Sequence, residues 1–251
     1  MKMAGNTVLV IGGTSGIGRA LAEALHDRGN RVIVTGRRQA MLDQITESRP
    51  GIIALRLDLM DPTSLSRVTD AVYVQCPELN VLIANAGVSR PEDFASDSWK
   101  SSDAEVMIET NILGVLRATA AFLPMLRRQQ DSTLMATSSA LAFVPLASFP
   151  TYCATKAFLH SWLTSLRHQL RRTSVEVLEL SPPYVQTELT GAGQATDPRA
   201  MPVHDYAAQV MHMLEQGDHP AGELLLERDH ARRWAERDGT YATLFSAMNP
   251  G

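Results

Sequence analysis

Residues 7–25 read TVLVIGGTSGIGRALAEAL, and this stretch decides the fold. Thr7 to Ile11 is a run of β-branched and aliphatic side chains, the composition of a strand covered on both faces. Gly12, Gly13, Thr14, Ser15, Gly16, Ile17 and Gly18 follow, and beyond them the apolar residues recur with helical spacing. Gly12 can turn the chain out of the strand, Gly16 lets backbone N–H groups approach a pyrophosphate, and Gly18 lets helix and sheet pack closely. The start of the helix supplies partial positive charge. Tight strand-to-helix turns also need glycine for geometry alone, so the argument for a phosphate site rests on the strand–turn–helix context.

The same alternation continues along the chain. Further strands are expected at Arg31–Thr35, Ile52–Leu57, Val81–Ala84, Ser132–Ser138, Val175–Leu180 and Glu223–Leu226. Helices are expected at Gly16–Arg28, Pro62–Gln75, Asp103–Arg128, Thr151–Arg172 and Val203–Glu215. Short apolar runs between longer helical segments predict an α/β fold: a Rossmann-type, doubly wound, mainly parallel sheet of about seven strands with helices on both faces. No repeat or linker divides the chain, so residues 1–251 read as one domain, with a substrate lid at about 188–202 and a C-terminal extension at about 228–251.

Composition narrows the function. A hydrophobic share of 45% over 251 residues fills a substantial core. With 23 basic and 27 acidic residues and no basic cluster, nucleic acid is not an expected partner. Two cysteines, Cys76 and Cys153, give neither a disulfide framework nor zinc-ligand spacing, and the seven histidines show no metal pattern, so no metal is expected. The N-terminus lacks the form of a secretory signal and no apolar run reads as a membrane span, since Gly114, Arg117 and Pro124 interrupt Ile112–Leu126. A cytoplasmic location without membrane attachment is expected.

At the end of the second strand, NAD-preferring enzymes offer a carboxylate to the adenosine ribose, whereas this chain has Thr35, Gly36, Arg37 and Arg38. No acid repels a 2′-phosphate there, and Arg37 can meet one with a planar fork of donors, so NADP(H) is expected over NAD(H). The bland alternative is a pair of solvated charges opening a helix. Asp58, in Leu57-Asp58-Leu59, reads by itself as a turn or capping residue. Asn85-Ala86-Gly87 follows the fourth strand and lets backbone lie close to a ligand, although a tight turn would use the same residues.

Tyr152 and Lys156 stand at i and i+4 near the start of a helix and share one face. A free phenol titrates near about 10, and an adjacent ammonium favours the phenolate, which suits the pair to acid/base work. Such spacing is common by chance on an exposed helix. Ser139 gives it context, because it follows the Ser132–Ser138 strand at the edge where open parallel sheets bind ligands.

The glycine spacing, Asn85-Ala86-Gly87, Asn111, Ser139, Tyr152-x-x-x-Lys156 and Ser181-Pro182-Pro183-Tyr184-Val185-Gln186-Thr187, in this order, resemble the short-chain dehydrogenase/reductase family over nearly the whole chain. The resemblance implies hydride transfer between NADP(H) and a small carbonyl or alcohol, with Tyr152 as general acid/base. It further implies that Lys156 lowers the pKa of Tyr152 and holds the nicotinamide ribose, that Ser139 polarises the carbonyl, and that Asn111 anchors a proton-carrying water. By the same resemblance Asp58 and Leu59 touch adenine, while Pro182, Val185 and Thr187 flank the nicotinamide. The chain departs from the pattern at Ile11, Ala84, Ala142 and Pro183, none of which performs chemistry. Pro183, Glu223–Glu227 and the tail from Ala235 to Pro250 look like the subgroup named for the oxidoreductase of the teichoic-acid D-alanylation gene cluster. The family resemblance implies a homodimer or homotetramer built on helix faces. A redox sensor that binds the cofactor without turnover is the competing reading; a nucleotide-sugar epimerase would need a larger C-terminal domain. Phe143, Val144, Leu146, Phe149 and Tyr184 are the expected apolar wall of the substrate pocket.

Overall fold

The computed structural model describes residues 1–217 and 219–250; Gly251, the last residue of the expected C-terminal extension, lies outside them. The elements follow in the order β1 (Thr7–Ile11), α1 (Gly16–His26), β2 (Arg31–Gly36), α2 (Gln39–Ser48), β3 (Ile53–Arg56), α3 (Pro62–Gln75) and β4 (Val81–Ala84). Then come α4 (Ser102–Ile108), a π turn (Glu109–Leu113), α5 (Gly114–Leu126), β5 (Ser132–Thr137), α6 (Pro150–Leu170), β6 (Val175–Ser181), α7 (Val203–Gln216), β7 (Glu223–Leu225), α8 (His230–Arg233) and α9 (Tyr241–Met248). Seven parallel strands form one sheet in the order β3-β2-β1-β4-β5-β6-β7.

Alternate side chains of each inner strand leave on opposite faces, which builds two cores. Leu9, Ile11, Leu82 and Leu134 pack with Val115, Phe122, Leu159 and Leu163 from α5 and α6. Val8, Val10, Ile83 and Leu180 pack with Leu21 and Leu25 of α1, Leu42 and Ile45 of α2, and Tyr206 and Val210 of α7. The expected doubly wound architecture is therefore present, and each expected strand lies within one residue of its position.

Two helical expectations need correction. Helix α2 received no range from the sequence, which offered only a helix start at Arg37 and Arg38; its ten residues bury just Leu42 and Ile45. The single helix expected at Asp103–Arg128 is divided by the π turn, where the Gly114 N–H bonds to the Glu109 carbonyl and inserts a residue into the helical repeat. The combined run Ser102–Leu126 is long and apolar enough to cross a membrane, with a mean hydropathy of 1.4. Its apolar face instead belongs to the core, through Val115, Ala118, Phe122, Met125 and Leu126.

Strand order reverses beside β1, whose neighbours are β2 and β4, and the turns after these strands open a crevice at the C-terminal edge of the sheet. The expected lid contains a short 3₁₀ turn, Ala192–Thr196. It is tied down by the Gln186 N–H on the Met201 carbonyl and the Met201 N–H on the Tyr184 carbonyl, both at 2.8 Å.

Candidate active site

A cleft of about 450 Å³ runs along this edge, and the turn after β1 forms its floor. Gly12 has φ +79, and a Cβ there would lie 2.7 Å from the Cα of Ala86. Gly16 has φ +53. The N-cap of α1, Ser15, makes no side-chain capping bond and the first turn holds no acid, so the orphan N–H groups of the helix face the cleft without an internal anion. Gly12, Thr14, Ser15, Gly16 and Ile17 line the cleft. Gly18 does not: a Cβ there would sit 2.2 Å from the Gly12 carbonyl oxygen and 2.5 Å from Asn85 Nδ2, so this glycine serves the packing of the turn.

Around the far end stand Arg37, Arg38, Asp58 and Leu59. Both arginines are exposed, Arg38 reaches Ser15 Oγ at 3.4 Å, and among the described residues Arg37 has no ion-pair partner. Asp58 accepts the Met60 N–H at 3.0 Å, the local turn its residue type suggests, while its neighbour Leu59 is buried. Sequence reasoning missed Thr35, which lines the cleft with a fully buried Oγ1 that has no hydrogen-bond partner. Gly36 beside it leaves room for Thr14, whose side chain would lie 2.7 Å from an added Cβ.

At the middle of the cleft, Asn85 donates to the Gly12 carbonyl at 3.2 Å and accepts from Thr137 Oγ1 at 3.0 Å, bracing the turns after β1, β4 and β5. Ala86 and Gly87 lie beside it in the wall.

Ser139, Tyr152 and Lys156 come together at the near end. Ser139 follows β5 directly and its Oγ accepts the Leu141 N–H at 3.1 Å, starting the turn Ala140–Ala142. Tyr152 and Lys156 lie on the inner face of α6, which is aimed by Pro150 in its first turn and by Glu92, whose carboxylate accepts from the N–H and hydroxyl of Thr151 at 2.9 and 3.0 Å. Lys156 is 4% exposed; its Nζ donates to the Thr137 carbonyl at 2.8 Å and lies 5.5 Å from the Tyr152 ring centroid.

Burial pushes the Tyr152 hydroxyl well above its ordinary value, with the Ser139 side chain pulling the other way. Burial also lowers the Lys156 ammonium to about 8. Desolvation dominates both groups and outweighs any lowering of Tyr152 by the neighbouring Lys156. The phenol holds its proton, and the amine gives its own up more readily.

Asn111 lies behind the wall rather than in it. Its Oδ1 accepts the Val88 N–H and its Nδ2 donates to the Val88 carbonyl, each at 2.9 Å, and Nδ2 also reaches Thr155 Oγ1 at 3.1 Å. A Cβ on Gly87 would be 3.4 Å from Asn111 Oδ1 and 3.6 Å from Lys156 Nζ, so the π turn brings Asn111 near the lysine while its carboxamide clamps the loop after β4.

Pro182, Val185 and Thr187 line the near end with Pro183, Glu188 and Leu189. Gln194, unmarked by any sequence pattern, pins this segment: Nε2 donates to the Val185 carbonyl at 2.7 Å and to Thr187 Oγ1 at 3.1 Å. The expected apolar wall is only partly met. Leu146 and Phe149 pack around Tyr152 with Val88, Leu141 and Leu189. Phe143 instead meets His160 and Arg233, each 5.0 Å away, and Val144 is fully buried. The Tyr184 hydroxyl donates to Asp197 at 3.2 Å, and Arg90 enters the wall without having been foreseen.

The short chain dehydrogenase family model matches residues 6–197, and the chain belongs to that family, as an oxidoreductase. It is 38% identical over 252 residues to the uncharacterized oxidoreductase DltE of Bacillus subtilis (strain 168), covering 99% of this chain and 98% of the relative. A short chain dehydrogenase from Burkholderia cenocepacia J2315 in complex with NADP superposes with a TM-score of 0.82 at 25% identity, over 97% of this chain and 99% of the other. A short-chain dehydrogenase from Sphingobium yanoikuyae in complex with NADPH gives 0.78 at 26%, over 96% and 95%.

Proposed function

We propose that this chain transfers hydride between NADP(H) and a small carbonyl or alcohol substrate, with Tyr152 as the general acid in reduction and the general base in oxidation. The observation that carries the reading is the placement of Tyr152 and Lys156, both buried, on one helix face in the same cleft that holds an uncapped helix N-terminus. The cleft fits a dinucleotide. The glycine turn admits no Cβ at Gly12, the α1 N–H groups await an anion, and Thr35 Oγ1 lacks a partner. Arg37, at the rim and without an ion-pair partner among the described residues, favours a 2′-phosphate and hence NADP(H) over NAD(H).

When bound, the nicotinamide supplies or accepts the hydride. Ser139 Oγ donates a hydrogen bond to the substrate oxygen, and Tyr152, kept protonated by burial, passes its proton to that oxygen during reduction. Lys156, whose proton is loosely held, replenishes Tyr152 and anchors the ribose. Asn111 holds the loop after β4 in register with Lys156 and, in the proposed proton path, anchors a water. Asp58 and Leu59 would hold the adenine and Pro182, Val185 and Thr187 the nicotinamide, and residues 188–202 would cover the substrate as a lid. The whole chain acts as one cytoplasmic domain. Exposed Ile108 on α4 and Phe158 on α6, at 43% and 38%, support a homodimer or homotetramer through these helices.

Titration with NADPH and NADH, followed by a panel of aldehydes, ketones and quinones, tests the reading. Tighter NADPH binding with turnover of at least one carbonyl is expected. NADH binding without NADPH binding would overturn the role of Arg37, and NADPH binding without any turnover would favour the redox sensor.

A further inference from the structure

Behind the cleft lies a buried charge that the proposed chemistry does not use. Glu179 of β6 has no exposed surface. Its neighbours Leu178 and Leu180 enter the core on the α1 and α7 side, so Glu179 points to the α6 side of the sheet. Its Oε1 accepts from Ser138 Oγ and, at 3.2 Å, from Ser181 Oγ; its Oε2 lies 2.9 Å from His160 Nδ1. Burial works to raise this carboxyl, but the hydrogen bond and charge of His160 and the two serine hydroxyls outweigh it and hold the group below the usual range.

A buried carboxylate of this kind is weak evidence for stability, since apolar residues of similar volume often serve as well. Its three partners are more informative. Ser138 immediately precedes Ser139, and Ser181 immediately precedes Pro182, whose carbonyl accepts the Ala140 N–H at 3.0 Å. His160 stands one turn beyond Lys156 and two beyond Tyr152 on the same helix. One carboxylate thus joins the end of β5, the end of β6 and the inner face of α6.

His160, Glu179 and Glu223 also offer atoms within 4.8 Å of one another, the spacing of a cation site. Both Glu223 oxygens are already taken by Arg233, at 2.7 and 2.8 Å, and Arg167 adds a second guanidinium whose charge both glutamates feel. The positive charge a metal would bring is already present, so the cluster is better explained as a structural hub.

We propose that Glu179 is a positioning residue, which through Ser138, Ser181 and His160 fixes the hydroxyl of Ser139 against Tyr152 and Lys156. The proposal rests on the reading of Ser139 and Tyr152 given above. Glu179 acts through geometry, since its carboxylate is spent on hydrogen bonds to Ser138, Ser181 and His160.

Two substitutions separate these effects. Glu179→Gln keeps an acceptor for both serines and can donate to His160 in its other tautomer, whereas Glu179→Leu keeps the approximate volume and removes every hydrogen bond. Wild type and both variants are compared for NADPH affinity, melting temperature, kcat, KM and the pH profile of kcat with the best carbonyl of the panel. Glu179→Leu is expected to lose about tenfold or more in kcat while NADPH affinity stays within about twofold; Glu179→Gln should stay within about threefold of wild type with an unchanged pH profile. Wild-type kcat in Glu179→Leu, or equal losses in both variants, would overturn the proposal. Ser138→Ala provides the same test if Glu179→Leu fails to fold: kcat should fall about fivefold without loss of NADPH affinity, and an unchanged kcat would overturn positioning. An inactive wild type would sink the underlying reading of the site instead, and the proposal with it.

Discussion

Lys156 carries an unusual electrostatic burden for a residue with so little exposure. Its folded value of about 8 lies below the ordinary 10.5, so the folded protein holds this proton less tightly than the unfolded chain does. The sign follows: burying the ammonium destabilises the protein fully below about pH 8, and the penalty fades between about 8 and 10.5. Lys156→Met should therefore raise stability by about 1–3 kcal/mol at pH 7, less the lost bond to the Thr137 carbonyl, and the gain should vanish above about pH 10.5. Urea unfolding at the two pH values checks this; a variant less stable than wild type at pH 7 would contradict it. Arg37→Ala should weaken NADPH binding by about 10- to 100-fold and leave NADH binding unchanged, as expected for one charge-assisted contact to a 2′-phosphate. Equal weakening toward both cofactors would remove that contact. At this scale the sequence showed most of the cleft, because Gly12, Arg37, Ser139, Tyr152 and Lys156 lie in patterns with chemical meaning. Gln194 and Glu179 were illegible, since their roles depend on partners that only the fold brings near, and so was the burial that leaves Thr35 Oγ1 without one.

The turn between β1 and α1 and the π turn before α5 do the most to shape the cleft. A Cβ at Gly18 would meet backbone at 2.2 Å, which a side-chain rotation cannot relieve. Gly18→Ala should cost about 2–3 kcal/mol and weaken NADPH binding together with stability, measured by thermal unfolding and cofactor titration. Unchanged values in both would show that the turn has slack the contacts do not suggest. Strands were legible almost to the residue because they are short apolar runs ended by turn residues, as at Thr7–Ile11 and Val81–Ala84. The π turn was not, because Glu109–Leu113 has ordinary helical composition and departs from the α repeat to pack Gly114 against Leu59, 3.0 Å from an added Cβ. Helix α2 is short as well, and its ten residues bury only Leu42 and Ile45.

Across the whole molecule, one parallel sheet supports both ends of the cleft, and its cores lie on opposite faces. Phe122 has no exposed surface and packs in the core that backs α5 and α6, so Phe122→Ala should destabilise by about 3–5 kcal/mol in denaturant titration. A loss below about 1 kcal/mol would mean that the site can collapse around the missing ring. The residues after β7 join this frame by long-range contacts: Arg233 holds Glu223 and covers Phe143, while Asn249 donates to the Pro145 carbonyl at 3.2 Å and accepts from the Ala147 N–H at 2.6 Å. In the proposed function one end of the cleft binds the dinucleotide and the other moves a proton through Tyr152. Tyr152→Phe separates the two, since it removes the hydroxyl and leaves the glycine turn and Arg37 intact. NADPH affinity within about twofold of wild type, with carbonyl turnover reduced by about 100-fold or more, is the predicted result; turnover at the wild-type rate would contradict the account.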